Sequence, residues 1–313
     1  MSDIDMLNAL KREQYNRTDP DATLMSKPAH NLMAYNAQIA VDGKHKFIVA
    51  TDVTSEGSDK KELHHMAKEV QQVVENETVT ITADKGYWST VEIKQCIDDK
   101  IDVIVPPTST GQEQRNRGKF GKEMFVYDKE QDAYICPNNE RIPRSHSNHT
   151  SYARTMHIYR TSSKTCKACP LQTQCLGEKT KHKQIQRWEH QQVIDDYHAK
   201  MKSETSKAII KRRASIVEHP FGTIKRTLGW DHYLVRGREK VSGENALIMF
   251  AYNFKRLLNL IGVPLFKKLV KAVKTGDIEA IKAEIAEHIA AFSAYLIRFL
   301  LHFSVGEKRA CFR

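Results

Sequence analysis

Two acidic residues stand where a protein can use a carboxylate for metal chemistry, and the first is Asp84. It ends the β-branched run of residues 79–83, and the turn-forming residues Lys85, Gly86 and Tyr87 follow at once. Ligands bind at the carboxyl ends of parallel strands, so a carboxylate here could hold a divalent metal. Strands also end in such residues simply because they form turns. Both interpretations stay open for Asp84 taken alone.

The second acidic residue, Glu218, lies in a predicted helix among basic residues. Lys225 follows seven residues later, close to two helical turns, so we expect both side chains on one face. Arg212 and Arg213 come one to two turns before the glutamate. A metal–phosphate site needs such a set, because the acid binds Mg²⁺ and the cations bind a DNA backbone. An exposed helix with neighbouring salt bridges has the same composition. Pro220 predicts a kink beside the glutamate.

The positive charge of the chain is concentrated around this helix. The net charge is +11, and residues 207–240 hold nine Lys/Arg against three Asp/Glu, a local charge of +6. A solvated charged face explains this surplus, but a surface that contacts phosphates also explains it. The residues predicted to contact DNA are Arg212, Arg213, Lys225, Arg226 and Arg236.

Four of the six cysteines fall in the polar, turn-rich segment of residues 108–189. They are Cys136, Cys166, Cys169 and Cys175, with the spacing C-x29-C-x2-C-x5-C. A C-x2-C pair can bend round a tetrahedral Zn²⁺, and four thiolates would close a structural site. Reduced thiols in an irregular loop are the alternative. Four histidines could replace a cysteine as ligand: His146, His149, His157 and His182. We expect Cys96 in a helix core and Cys311 as a tail thiol.

Hydrophobic periodicity predicts an α/β protein. The predicted strands are residues 33–42, 46–54, 79–83 and 101–107, and the predicted helices are 55–74, 89–100, 190–228, 243–261, 264–275 and 277–303. Residues 1–31 are predicted to form a short helix and a polar linker without a β-run. Strand, helix and strand in alternation predict parallel crossovers. Asp59 and Glu62 have the spacing of a capping box.

Four stretches together carry a resemblance to a known family. They are "YNAQIAVD", "ADKGY", "RRASIVEHPFGTIKR" and "YLVRGREKVSGENALIMFAYNFKRL", in this order within residues 19–262. The chain thus resembles the DDE transposases of bacterial insertion sequences, whose catalytic core is RNase H-like. The resemblance implies that Asp84 is the second catalytic acid and that Glu218 is the last, with Lys225 as its basic partner.

The resemblance also implies cofactors, partners and a domain plan. Such enzymes use Mg²⁺ or Mn²⁺, cut double-stranded DNA at transposon ends and join it to target DNA. We expect a homo-oligomer at synapsis, a location in the bacterial cytoplasm at the nucleoid, and no membrane. The predicted domains are an N-terminal linker (1–31), a first core part (32–107), an inserted Cys-containing subdomain (108–189), a second core part (190–262) and a helical extension (263–313).

The first catalytic acid is the element that the sequence does not supply. The resemblance places it on a strand before residue 33, so we expect an RNase H-like sheet that lacks its first strand. We therefore expect a truncated copy with low or no activity alone. Asp42 and Asp52 are weaker candidates for the first acid, and Glu239 and Glu244 for the last, because neither glutamate has a basic residue seven positions later. The alternatives are a non-catalytic DNA-binding remnant or regulator, and another RNase H-like nuclease.

Overall fold

A computed structural model describes residues 3–10, 14–26, 31–74, 79–108, 118–151 and 154–288. The chain divides into two compact units. The first combines residues 1–106 with residues 204–313, and the second is formed by residues 107–203. The expected tail thiol Cys311 lies outside the described residues. So do residues 289–303 of the helix predicted over 277–303.

The amino-terminal part of the first unit contains six strands and three helices. In chain order they are α1 (Asp3–Leu10), β1 (Thr23–Ser26), β2 (Asn31–Ala34), β3 (Asn36–Val41), β4 (Ile48–Thr54), α2 (Leu63–Val74), β5 (Thr80–Thr82), α3 (Thr90–Asp98) and β6 (Asp102–Ile104). β3 and β4 pair antiparallel, and β5 and β6 pair parallel. The predicted hairpin is confirmed, and so is the predicted parallel crossover from β5 through α3 to β6. The crossover predicted from β4 through α2 to β5 is not found among the described residues, where β4 and β5 belong to separate two-stranded sheets. The mixed helix and sheet content agrees with the α/β class.

The polar linker predicted within residues 1–31 is wrong for residues 23–26, because they form β1 and pair antiparallel with β2. The residues just before β1 bind the start of a distant helix. Asp19 Oδ1 accepts from Tyr35 Oη (2.6 Å) and from the backbone N–H of Gly237 (3.3 Å), and Asp21 Oδ2 accepts from the N–H of Arg238 (2.9 Å). Carboxylates satisfy the free N–H groups of a helix start, which explains the attachment.

The capping box predicted from Asp59 and Glu62 is also wrong. Residues Asp59–Lys61 form a 3₁₀ turn before α2. Its N-cap is Ser58, whose side chain accepts from the N–H of Lys60. The Asp59 carboxylate turns instead to β3, where it accepts from Asn36 Nδ2 (2.6 Å) and Gln38 Nε2 (2.8 Å). The Asp59 carboxylate therefore binds side chains of a strand instead of the backbone N–H groups at the start of α2.

The carboxy-terminal part of the first unit is helical. It comprises α7 (Glu204–Gly222), α8 (Arg238–Thr275) and α9 (Ile278–His288). α8 is interrupted at Gly262, whose φ of 74° is left-handed, and Pro264 follows. This break agrees with the two helices predicted on either side of it. α9 packs back on α8 through Ile281 and Ile285.

The continuous helix predicted over residues 190–228 is wrong in two places. It is divided between α6 (Gln191–Met201) and α7, and it changes to a π-helical turn at Thr223–Thr227. α7 itself continues through Pro220. Thr223 Oγ1 donates to the carbonyl of His219 (3.1 Å), where the α-helix gives way to the π-helical turn.

α8 is joined to β4 by buried amides. Asn253 Oδ1 accepts from the N–H of Ile48 (2.9 Å), and its Nδ2 donates to the carbonyl of Ile48 (2.7 Å). About two turns away along α8, Asn245 Nδ2 donates to Thr51 Oγ1 (2.8 Å). The side chains of Asn245 and Asn253 are almost fully buried. The apolar residues Met249, Leu257 and Ile261 of α8 pack in the core beside them.

Among the described residues, one helix, α8, is long and apolar enough to span a membrane by length and composition. It is broken at Gly262, and its buried amides are bonded to a strand of the same unit.

The second unit contains a five-stranded antiparallel sheet that the sequence did not predict. Its strands are β7 (Val126–Asp128), β8 (Ala133–Ile135), β9 (Arg141–Ser151), β10 (Arg154–Arg160) and β11 (Gln184–Trp188), in the order β11-β10-β9-β8-β7. Two short helices, α4 (Ser163–Lys167) and α5 (Gln172–Cys175), lie between β10 and β11 in the chain. Tyr134, Ile142, Tyr159 and Ile185 form its core with Phe125.

α6 groups with this second unit, whereas we predicted residues 190–262 as one part of the core. Arg187 of β11 is buried and pairs with Asp195 of α6 (Nη2 to Oδ2, 3.0 Å). Burying a guanidinium requires a nearby carboxylate, so this ion pair ties α6 to the sheet. The domain boundaries themselves stay a prediction.

Replacement of Asn253 by alanine tests the amide link between α8 and β4. Asn253→Ala leaves the buried N–H and carbonyl of Ile48 without these partners, and we expect a loss of about 3 kcal/mol in the free energy of unfolding. Urea denaturation followed by circular dichroism measures it. Asn259→Ala, at an exposed position of the same helix, is the control and should change stability little. Equal losses in the two variants would contradict the assignment.

Candidate functional site

Asp84 lies where the sequence predicted it, directly after the carboxyl end of β5. It is the N-cap of the 3₁₀ turn Lys85–Tyr87, and its Oδ1 accepts from the N–H of Gly86 (2.7 Å). A Cβ at Gly86 would lie 2.8 Å from that oxygen. Glycine is therefore required for the carboxylate to close on its own turn, and this explains the Asp-Lys-Gly sequence.

A second carboxylate, missed by the sequence analysis, lies beside Asp84. A Cβ at Gly86 would lie 3.3 Å from Asp59 Oδ2, so Asp59 and Asp84 flank the same glycine. Oδ1 of Asp59 is held by the amides of Asn36 and Gln38. The only sequence signal for Asp59 was its place before α2, which pointed to a helix cap.

Tyr87 lies close to these carboxylates, and its hydroxyl donates to Gln38 Oε1. Burial raises the pKa of Tyr87, and the negative charges of Asp59, Asp84 and Glu62 raise it further. Arg213 of α7 acts in the opposite direction on the same pKa. Three carboxylates and one guanidinium therefore share the surroundings of the turn that follows β5.

Glu218 is placed on the exposed side of α7. The helix contacts the β3–β4 turn through Arg212, whose Nη2 donates to the carbonyl of Gly43 (3.2 Å), and through Ile216. Glu218 lies about 160° around the helix from Ile216. No described contact joins it to Asp84. Among the described residues, no three His, Cys, Asp or Glu side chains form a group that could hold a metal ion. The meeting of Glu218 with Asp84 stays a prediction.

The shared face predicted for Glu218 and Lys225 is disturbed. Lys225 lies in the π-helical turn, where the rotation per residue is smaller than in an α-helix, so the two side chains no longer follow α-helical spacing. Lys225 lies over the ring of Phe221, 5.9 Å from its centroid. Four of the five predicted DNA contacts are exposed, namely Arg212, Lys225, Arg226 and Arg236, whereas Arg213 is half-buried.

Asp42 and Asp52, the two weaker candidates for the first acid, have other partners. Asp42 lies in the β3–β4 turn and accepts from the N–H of His45. Gln38, which bonds Asp59, is four residues back along β3, a distance of about 13 Å. Asp52 pairs with His65 Nε2 (3.2 Å). Neither carboxylate is described in contact with Asp84.

Glu244 is an anchor for the loop before α8. Its carboxylate accepts from Trp230 Nε1 (2.9 Å), from the N–H of Leu234 (2.9 Å) and from the N–H of Val235 (3.2 Å). Burial acts to raise the pKa of Glu244, but these hydrogen bonds outweigh it and lower the pKa. Glu239 is exposed near the start of the same helix. The structure therefore gives Glu244 a role that needs no metal.

The remaining predicted positions are the cysteines. Cys136, Cys166, Cys169 and Cys175 line one cavity in the second unit. Cys96 is fully buried on α3, as predicted, and burial raises its pKa to about 12. The aromatic residues Tyr159 and Trp188 are packed in the core rather than exposed for stacking on bases.

The pH dependence of stability tests the role of Glu244. Its lowered pKa contributes stability above the unfolded value of about 4.3, and this is lost as the pH falls through the folded value. We expect Glu244→Gln to reduce the free energy of unfolding at pH 7 by about 1 kcal/mol, allowing for solvent exposure. Urea titrations at several pH values should show the difference shrinking below pH of about 4. Glu239→Gln is the control, and a pH-independent difference for Glu244→Gln would contradict the assignment.

Comparison with known proteins bears on the segment that contains Glu218. Residues 135–258, about two fifths of the chain, match the family model described as Transposase DDE domain. The matched segment includes Glu218, Lys225 and the four clustered cysteines, whereas Asp59 and Asp84 precede it. Comparisons with curated proteins and with solved structures found no match. Over residues 135–258 the chain is therefore similar to the DDE domain of DDE-type transposases.

Proposed function

We propose that the chain acts in DNA transposition by metal-dependent cleavage and transfer of DNA strands at the ends of an insertion sequence. The observation that carries this proposal is the DDE-domain match over the segment with Glu218 and its basic neighbours. The placement of Asp84 at the carboxyl end of a strand that is paired in parallel supports it.

Asp84 and Asp59 are the side chains that suit a divalent cation. Two carboxylates on either side of Gly86 repel each other, and a cation near both would relieve the repulsion. Mg²⁺ binds through one or two carboxylates and completes its shell with water and substrate phosphates, so this donor set fits Mg²⁺ or Mn²⁺. Such ions activate an attacking water or hydroxyl and stabilise the leaving oxygen. Glu218 is the third acid of the proposal.

The proposed DNA partner rests on two basic surfaces, each in a different unit. In the first unit, Arg212, Lys225, Arg226 and Arg236 are exposed. In the second, residues 141–177 contain six Lys/Arg and no Asp or Glu, and they include the ends of β9 and β10, where residues 150–151 pair with 154–155 beyond the neighbouring strands as a two-stranded ribbon. A two-stranded ribbon fits the major groove of DNA, and exposed cations bind its phosphates. The ribbon was not anticipated from the sequence.

An RNase H-like arrangement remains the proposed fold of the first unit. β3, β4, α2, β5, α3 and β6 follow each other in the order that the resemblance implies. The pair β3–β4 and the pair β5–β6 are separate two-stranded sheets among the described residues, and β1 pairs with β2. A further strand between β3 and β5, carrying the first acid, would join the pairs. We therefore propose that this chain alone has low or no strand-transfer activity.

A second candidate function is DNA binding without catalysis, as a remnant or regulator of transposition. The observation that favours it is that the described residues contain no three-ligand metal group. Both candidates place the chain on DNA, and we propose the bacterial cytoplasm at the nucleoid as its location. Joining two transposon ends would require more than one copy of the chain.

Metal binding at Asp84 tests the catalytic proposal. We expect the chain, mixed with duplex DNA, to bind Mn²⁺, and Asp84→Ala and Asp59→Ala to weaken binding roughly tenfold or more, because each removes a proposed ligand. Electron paramagnetic resonance measures free Mn²⁺ directly. Glu69→Gln, which alters an exposed acid on α2, is the control. Unchanged Mn²⁺ binding in Asp84→Ala would exclude the proposed site and favour the non-catalytic function.

The same proteins should nick transposon-end DNA slightly or not at all, because the first acid is absent from the proposed set. Nicking is measured on labelled duplex with Mg²⁺ or Mn²⁺. Clear metal-dependent nicking by the chain alone, abolished by Asp84→Ala, would support the enzyme and overturn its proposed incompleteness.

The salt dependence of DNA affinity tests the basic surface of the first unit. Alanine at Arg212, Lys225, Arg226 and Arg236 together should weaken binding to any sequence and reduce the slope of log affinity against log salt by about 0.9 for each lost phosphate contact. Fluorescence anisotropy over a range of salt concentrations gives the slope. The control replaces four exposed lysines of α8, Lys267, Lys268, Lys271 and Lys274. Equal changes in both quadruple variants would show a general charge effect rather than a contact surface.

A further inference from the structure

The second unit contains a cavity of about 30 Å³ surrounded by thiols. Cys136, Cys166, Cys169 and Cys175 all line it, and they come from three separate segments of the chain. This volume exceeds the roughly 10–15 Å³ that one water molecule needs, so the cavity has room for an ion. Four of the five described cysteines are gathered here, and the fifth, Cys96, belongs to the first unit.

Two backbone turns present sulfurs to the cavity. Cys136 follows β8 and begins a turn in which the N–H of Asn139 donates to its carbonyl (2.8 Å), with Asn139 at a left-handed φ of 58°. Cys166 and Cys169 lie at the end of α4, where the N–H of Cys169 reaches toward the carbonyl of Cys166 (3.4 Å). Cys175 is the last residue of α5. Turns of this kind are common around tetrahedral Zn²⁺ because they place two sulfurs on one side of the ion.

The charges around the cavity suit a thiolate cluster. Lys183 also lines the cavity, so a cation lies beside the four sulfurs. Thr161 Oγ1 lies 3.0 Å from Cys166 Sγ and can donate to it. A cation and a hydroxyl donor are the groups that stabilise negative sulfur.

The two helices that carry Cys166 and Cys175 are very short. α4 and α5 have five and four residues, far fewer than a helix needs to form by itself. Cys136 and Cys175 pack against the core of Phe125, Tyr134 and Tyr159. The described cysteines form no disulfide. A cross-link through a metal would fix both short helices to the edge of this core.

We propose that Cys136, Cys166, Cys169 and Cys175 bind one structural Zn²⁺. The side chains are not arranged as ligands already, since no group of three is at metal-binding geometry among the described residues. Rotation about the Cα–Cβ bonds moves each sulfur while the backbone stays in place, so the ion can draw the four sulfurs inward. Binding replaces the thiol protons with one Zn²⁺, and up to four protons pass to the solvent.

The four histidines that sequence analysis offered as substitutes are excluded from this site. None of His146, His149, His157 and His182 lines the cavity. The proposed site is therefore of the four-cysteine type, which is closed to water and serves structure rather than catalysis.

Zinc content is the direct test. The untagged full-length chain, purified in reducing buffer and analysed by inductively coupled plasma mass spectrometry, should contain about one zinc per chain. Serine at any of the four positions should lower zinc affinity at least roughly tenfold. His182→Ala and Cys311→Ser are matched controls and should retain zinc. A wild-type chain without zinc, with four reactive thiols or with disulfides among them, would overturn the proposal.

Cobalt substitution keeps the test independent of whether the serine variants fold. Co²⁺ in a tetrahedral thiolate site gives strong visible and near-ultraviolet bands, and their intensity reports the number of sulfur ligands. We expect the spectrum of four thiolates in the wild-type chain, reversed by Zn²⁺. Removal of the metal with a chelator should expose residues 107–203 to limited proteolysis before the rest of the chain. Bands of an octahedral or sulfur-free site would contradict the assignment.

Discussion

The first unit depends on the buried amide of Asn253. Its two chain segments are separated in sequence by the whole second unit, so contacts between α8 and the strands must hold them together. Asn253 satisfies both backbone groups of Ile48 at once, as a neighbouring strand would. A buried amide with both partners resists sliding in a way that apolar contacts do not, because a shift along β4 leaves two polar groups unpaired. The position of β4 therefore follows from α8.

The contact between Asn253 and Ile48 also helps to position the candidate site. The register of β4 with β3 places Gln38 opposite Asp52, and Gln38 in turn binds Asp59 and accepts from Tyr87. Tyr87 belongs to the turn that Asp84 caps. A chain of specific polar contacts thus runs from a core helix to the carboxylate at the end of β5. The links are hydrogen bonds of backbone and side-chain groups inside the unit, so the carboxylates are positioned by its interior rather than by the loop alone.

Local patterns predicted the parts of this structure that depend on local physics. Alternation predicted the β3–β4 hairpin, and a β-branched run ending in Asp-Lys-Gly predicted the strand and turn at Asp84. The sheet of the second unit escaped prediction because β7 and β8 have three residues each, too few to show a period, and β9 is polar on both faces. Asp59 and Glu244 escaped for another reason. Their partners are distant in sequence or lie in a loop, so capping rules and helix spacing gave them the wrong role or none.

The rotation of α7 about its own axis decides which of its side chains face the strands. Residue spacing fixes which side chains share a face of the helix, but only tertiary contacts decide which face meets the strands. Here Arg212 binds Gly43, and His219 Nδ1 lies 2.9 Å from Tyr252 Oη, so the face that carries Arg212 and His219, about 100–120° around the helix from Glu218, is held in place. These two contacts, worth about 1 kcal/mol each, therefore fix the direction in which Glu218 projects as well.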